Sequence, residues 1–154
     1  MIWLAERPMI ELIASVTITA GSVLLFCYWF RYTCILILSA QTVREYATSV
    51  AQANQLSFLE TQAQLAQASP DLERLKNALD RDYAVIAGLL TKLDSEQSGI
   101  EQRMLAIHYK LMGAWFKTSR HLSESMACKA LEEMSMVVAH FANSIGEASA
   151  SAAA

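Results

Sequence analysis

The sequence predicts an all-α protein: a single-pass transmembrane helix followed by a cytoplasmic helical hairpin or small helical bundle. Three observations predict it. The run Met9–Phe30, MIELIASVTITAGSVLLFCYWF, holds one charge, Glu11. Only five glycines and two prolines interrupt 154 residues rich in Ala, Leu, Gln, Ser and Glu, a balance that favours helix over strand. Beyond the apolar run, aliphatic residues recur at helical spacings of three, four and seven.

Residues 1–8 read as a short tail and residues 9–31 as the membrane span. Ile10–Phe30 is 21 residues, and as a helix it covers roughly 31 Å, about the hydrocarbon thickness of a bilayer. Pro8 suits the first turn, where its missing N–H costs nothing. Trp3 precedes the span, and Tyr28, Trp29 and Tyr32 surround Arg31 at its far end. These five residues are the expected interface anchors, because aromatic rings and guanidinium groups pair an apolar body with a polar edge. A cleaved signal sequence fits less well. Glu6 offsets Arg7, the apolar run is too long, and Ala20 and Ala40 have Ile18 and Leu38 at the position where a small residue is required. Arg7 and the amine before the span nearly balance Arg31 and Arg44 after it, and the unpaired Cys128 tips the expected orientation toward a cytoplasmic C-terminal domain. Ser15/Thr19 and Thr17/Gly21 have the small-xxx-small spacing that permits close helix packing.

Residues 32–68 read as a membrane-proximal helix. Its first part, Tyr32–Ala40, is apolar again. Either the helix leaves the membrane and buries this stretch against protein, with Leu36 as a candidate partner contact, or the span slides and Arg31 becomes an intramembrane charge. Val43, Tyr46 and Val50 form a weak stripe, and Ser57 followed by Glu60 has the capping-box pattern. The expectation is a mostly continuous helix with a kink near 54–57.

Residues 69–145 read as the hairpin or bundle. In Ser69-Pro70-Asp71, Ser69 is the expected cap, Pro70 the first helical residue, and Asp71 the acid favoured at a helix N-terminus. Leu72, Leu79, Ile86 and Leu93 recur every seven residues, the mark of helix-on-helix packing. Asp94–Gly99 reads as a turn, yet the seven-residue rhythm continues through Ile100, Ile107 and Ala114, so a hairpin competes with one long rod. In Ile100–Phe116 one apolar face is Ile100, Met104, Ile107 and Leu111, and a second is Leu105, Met112, Trp115 and Phe116, with His108 among them. A helix apolar on most sides is expected at the centre of a bundle, the alternative being a surface for a partner or for anionic headgroups. A last helix is expected over Ser119–Ile145, with Leu122, Met126, Ala130, Met134, Val137, Phe141 and Ile145 on its inner face and Gly146 at its end. The tail 146–154, GEASASAAA, has nothing to bury and is expected to be disordered.

Charge is segregated. Residues 57–101 hold eight acids and four bases, and residues 103–129 hold five bases and one acid. Two hairpin arms that complement each other account for this, as does a basic face of Arg103, Lys110, Lys117 and Arg120 turned toward headgroups or an acidic partner. With Leu36, Met112 and Trp115, these four are the candidate partner or lipid contacts. The net charge of −3 gives no support to nucleic-acid binding.

No catalytic motif stands out. Cys27, Cys34 and Cys128 lack both a disulfide framework and metal-ligand spacing. None of His108, His121 and His140 lies in the span, and none follows a Glu-x-x pattern, which removes an intramembrane haem ligand and a carboxylate-bridged metal pair. His121, Glu124 and Cys128 can share a helix face and form the weakest candidate, a metal or nucleophile site. The expected function is therefore that of a non-enzymatic accessory, assembly or scaffold subunit, without a cofactor, that contacts lipids and other membrane-protein subunits or itself. The alternative is a membrane-linked signalling or stress-response transducer.

Overall fold

The structure, a computed structural model, describes residues 3–40, 45–67, 69–93 and 99–153, with side chains from Met9 onward. Among these the chain is helical and contains no strand. The helices are α1 (Trp3–Ser39), α2 (Ala47–Asn54), α3 (Phe58–Leu65), α4 (Leu72–Leu93), α5 (Gly99–Ser119) and α6 (Glu124–Ala152). They fall into two compact units, residues 1–37 and 38–154.

The first unit is α1. It runs unbroken through Arg31, and over Met9–Ser39 it is long and apolar enough to cross a membrane. Ile18, Leu24 and Phe26 are all about two-thirds exposed (68%, 71% and 69%), so the apolar surface is continuous around the helix rather than confined to one face. The hydroxyls of Thr17, Thr19 and Ser22 turn back on their own backbone. Thr17 and Thr19 donate to the carbonyls of Ile13 and Ser15, each at 2.8 Å, and Ser22 donates to Ile18. This satisfies each donor without water, the condition for carrying Ser and Thr through an apolar medium. Tyr28, Trp29 and Tyr32 form one aromatic cluster with ring centroids 5.8–6.3 Å apart. The side chain of Trp3, the other aromatic anchor, lies outside the described part of the structure.

The second unit is a bundle organised around α6. Against it lie α2, α3, α4 and α5. Ala127, Ala130, Leu131, Met134, Val137, Val138, Phe141, Ala142 and Ile145 are all buried, and at these spacings they cover roughly half the helix circumference. Facing them are Leu75, Leu79 and Ile86 of α4, Leu105, Tyr109, Met112 and Phe116 of α5, Phe58 of α3, and Ala47 and Ala51 of α2. The central helix is therefore α6, not the one beginning at Ile100. The reason is composition: α6 sets the small residues Ala127, Ala130 and Ala142 among its larger inward side chains, which lets neighbours approach from several sides.

The path from α4 to α5 reverses direction, because Glu73 of α4 pairs with Arg120 just beyond α5, and Asp80 accepts a 2.9 Å hydrogen bond from the Tyr109 hydroxyl. The two helices run antiparallel, which excludes the continuous rod. Residues 94–98, most of the expected turn, lie outside the described residues.

Several boundaries differ from expectation. The helix after Pro70 starts at Leu72, and its cap is Asp71, whose Oδ1 accepts the N–H of Arg74 at 3.2 Å, not Ser69. The expected kink is a full break. Gln55 takes a left-handed conformation (φ 52°), and the Leu56 N–H returns to the carbonyl of Ala51 at 2.9 Å, closing α2 in a Schellman-type turn. The last helix starts at Glu124, after a turn that leaves Leu122 72% exposed, and Met126 is 48% exposed; neither belongs to the core. Gly146 does not end that helix, which runs to Ala152 through the expected disordered tail.

Gly146 is needed for another reason. A Cβ there would collide with the Cβ of Tyr46, an atom fixed to the backbone. Beside it, Asn143 Oδ1 accepts the backbone N–H groups of Tyr46 (2.8 Å) and Ala47 (2.6 Å), capping α2 from across the bundle. Asp82 does the same for α3. Its Oδ2 accepts the Ser57 N–H at 2.8 Å and the Ser57 hydroxyl at 3.2 Å, so Ser57 itself makes no capping bond. These contacts predict that Asn143→Ala lowers stability by about 1–2 kcal/mol through loss of a cap, and Gly146→Ala by about 1–3 kcal/mol through overpacking. Urea unfolding followed by circular dichroism checks both; an unchanged midpoint for either variant contradicts the corresponding contact.

Candidate interaction surface

Helix α5 has two apolar faces with different fates. Leu105, His108, Tyr109, Met112, Phe116 and Ser119 are buried. Ile100 (77% exposed), Ile107 (51%), Leu111 (49%) and Trp115 (43%) point outward, and Met104 between them is half-buried. The periodicity of three and four that predicts burial is thus met twice on one helix, but the bundle covers only one of the two faces.

The buried face is held by polar contacts as well as packing. Tyr109 stacks on Tyr83 of α4, with centroids 4.0 Å apart and planes 8° from parallel, while its hydroxyl reaches Asp80. Burial is the main reason the Tyr109 hydroxyl is held far above the ordinary tyrosine range, and the charge of Asp80 adds to it. The hydroxyl therefore stays a donor at every physiological pH. On the opposite flank, His108 is 1% exposed and its Nε2 lies 3.2 Å from Glu133 Oε2 of α6. The approach is off the axis of a hydrogen bond, so it is a charge contact between the two helices when the imidazole is protonated.

Along one edge of the open face run Arg103, Lys110 and Lys117, all exposed and spaced by seven. Among the described residues none of the three enters an ion pair; the acids of α4 are engaged elsewhere, Glu73 with Arg120, Asp80 with Lys76 and Tyr109, and Asp82 with Ser57. Arg120, expected in the same row, is thereby part of the bundle's internal pairing.

The structure therefore gathers Arg103, Lys110, Lys117 and Trp115 around one surface and leaves Met112 out. Met112 is 8% exposed and sits in the core, about a quarter-turn from Leu111 on the helix. A charge at Met112 disrupts the fold rather than an association. The residues that take its place are Ile107 and Leu111. The signal for them lay in the sequence, as the basic residues repeating beside the Ile100–Leu111 stripe rather than beside the Leu105–Phe116 stripe. Leu36, in the other unit, is 50% exposed on α1.

His121 and Glu124 are exposed and Cys128 is partly buried. Among the described residues no group of three metal-ligating side chains comes together. Burial pushes the Cys128 thiol up, and the carboxylates of Glu124 and Glu132 push it further, the opposite of what activates a thiolate nucleophile. His140 lines a groove near the end of the bundle with Glu101 and Glu147. Its imidazole is held below the usual value mainly by burial, and the two carboxylates only partly offset this.

No family model, no curated protein and no solved structure matches the chain.

Two outcomes follow. Ile107→Asp leaves the helical circular-dichroism signal and the thermal midpoint nearly unchanged, whereas Met112→Asp lowers stability by more than about 3 kcal/mol, as expected for an unpaired charge placed in a core; equal effects would contradict the assignment of the two faces. The neutral form of His140 is favoured on folding, so its contribution to stability is present above the ordinary histidine value and is lost as the pH falls below it. Between pH 7.5 and pH 5 the thermal midpoint of a His140→Asn variant should fall less than that of the unaltered chain; parallel curves would contradict this.

Proposed function

We propose that this protein is a membrane-anchored helical accessory or scaffold subunit, in which α1 is a single membrane span and the bundle, on the cytoplasmic side, binds other proteins. The observation that carries the reading is the open face of α5. A soluble bundle gains by burying a row of two isoleucines, a leucine and a tryptophan, and a contiguous apolar row left outside marks a surface that something else covers. The anchor reading is supported by α1, whose apolar side chains are exposed all round from Met9 to Trp29, whose Thr17, Thr19 and Ser22 hydroxyls are satisfied internally, and whose aromatic cluster lies beside Arg31. The unpaired Cys128 favours a reducing compartment for the bundle. The action would be non-enzymatic, through contacts alone.

Extraction of the source membrane with a gentle detergent, followed by native mass measurement, tests this. The protein should resist an alkaline carbonate wash and migrate as a discrete assembly containing other chains, and Leu111→Asp should shift it to a smaller species. Release by carbonate overturns the anchor; an unaltered chain that migrates alone overturns the scaffold role.

A further inference from the structure

We infer that the open face of α5 receives a single α-helix whose own flank is acidic, contributed by a different protein. The inference rests on the docking reading above and names the occupant of that surface. Ile100, Met104, Ile107 and Leu111 follow one another at intervals of four, three and four. That is the alternation of the a and d positions of a heptad, the pattern that accepts the side chains of a second helix. In the same register Arg103, Lys110 and Lys117 occupy successive g positions, the places from which a paired helix is read by charge.

A second copy of this chain fits poorly. Antiparallel self-pairing sets g positions against g positions, so the three cations would face three cations. Parallel self-pairing sets Arg103 against His108 and Lys110 against Trp115, and neither supplies an acid; His108 is moreover 1% exposed inside its own bundle. The chain's own acid-rich helix is no better, since Glu73, Asp80 and Asp82 of α4 are already engaged within the fold. A lipid surface is also less suited. A helix lying among headgroups carries basic residues along both margins of its apolar arc, whereas here the cations line one margin and Glu101 with the rest of the bundle lies along the other. A one-sided basic row beside a heptad seam fits a helix with glutamates or aspartates along the matching edge.

The test uses the full chain in nanodiscs of phosphatidylcholine and two fluorescein-labelled synthetic helices. Both carry leucine at a and d over four heptads; one has glutamate at e and g, the other lysine. Anisotropy should show the glutamate helix binding at least about tenfold tighter, with the preference lost in Arg103→Glu/Lys110→Glu/Lys117→Glu and binding to both lost in Ile107→Asp. These positions are exposed, and circular dichroism confirms the variants' fold; the comparison of the two helices on the unaltered chain stands without any variant. Equal binding of both helices overturns the acidic partner and leaves the docking surface intact. Binding of neither overturns the docking surface as well. Loss of the glutamate helix when phosphatidylserine replaces part of the phosphatidylcholine identifies an anionic membrane as the occupant and overturns the inference.

Discussion

Every helix of the bundle is positioned by its contact with α6. Nine of its residues, from Ala127 to Ile145, are buried apolar side chains, and they mix small with large. Alanine at 127, 130 and 142 lets neighbouring backbones come close, while Leu131, Met134, Val137, Val138 and Phe141 fill the spaces between. Helices α4 and α5 each lay apolar side chains on this surface, and meet each other through long side chains, among them the Tyr83–Tyr109 stack and the Tyr109–Asp80 hydrogen bond. Removing α6 would leave the other helices with apolar rows and no common partner.

The short helices depend on α6 and α4 in a second way. Eight residues are too few for a helix to persist on local interactions alone. Helices α2 and α3 are held because their unsatisfied N-terminal N–H groups point at Asn143 and Asp82, side chains rooted in long, well-packed helices. The packing at Gly146, where Tyr46 sits against the bare backbone, fixes the height at which α2 meets α6. Capping and close approach thus act at one place, and the start of α2 is set by a residue 96 positions away in the chain.

This arrangement explains why one apolar face of α5 is left over. The circumference of α6 is shared among four helices, and α5 can turn only one side to it. The face with His108, Tyr109 and Phe116 goes inward, where Glu133 and Asp80 meet the polar atoms of His108 and Tyr109. The face with Ile107 and Leu111, whose one polar group is the exposed Trp115 indole N–H, stays outside, beside the row of cations. Among the described residues, α5 thus carries an exposed heptad stripe beside a basic edge, and α1 is a separate helix long and apolar enough to cross a membrane.

The sequence by itself determined the helical class, the long apolar N-terminal helix and the stripes of Leu72–Ile86 and Ala130–Ile145, because these depend on composition and on the period of 3.6 residues, both local properties. It also showed the seven-residue spacing of Arg103, Lys110 and Lys117 on the helix that it placed at the centre of the bundle. Tertiary structure decided which stripe of α5 is buried, since two stripes of similar hydrophobicity compete for one groove and only the polar partners of His108 and Tyr109 separate them. It likewise decided that Met112 is core, that Leu122 is not, and that Gly146 lies within a helix instead of ending it. Asp82 interrupts the otherwise apolar stripe of Leu75, Leu79 and Ile86, and Asn143 stands at the edge of the buried face of α6 beside His140 and Glu147. That was a visible irregularity, but its purpose appears only when the N-termini of α3 and α2 are brought against them, and such pairings between distant residues leave no periodic trace in the chain.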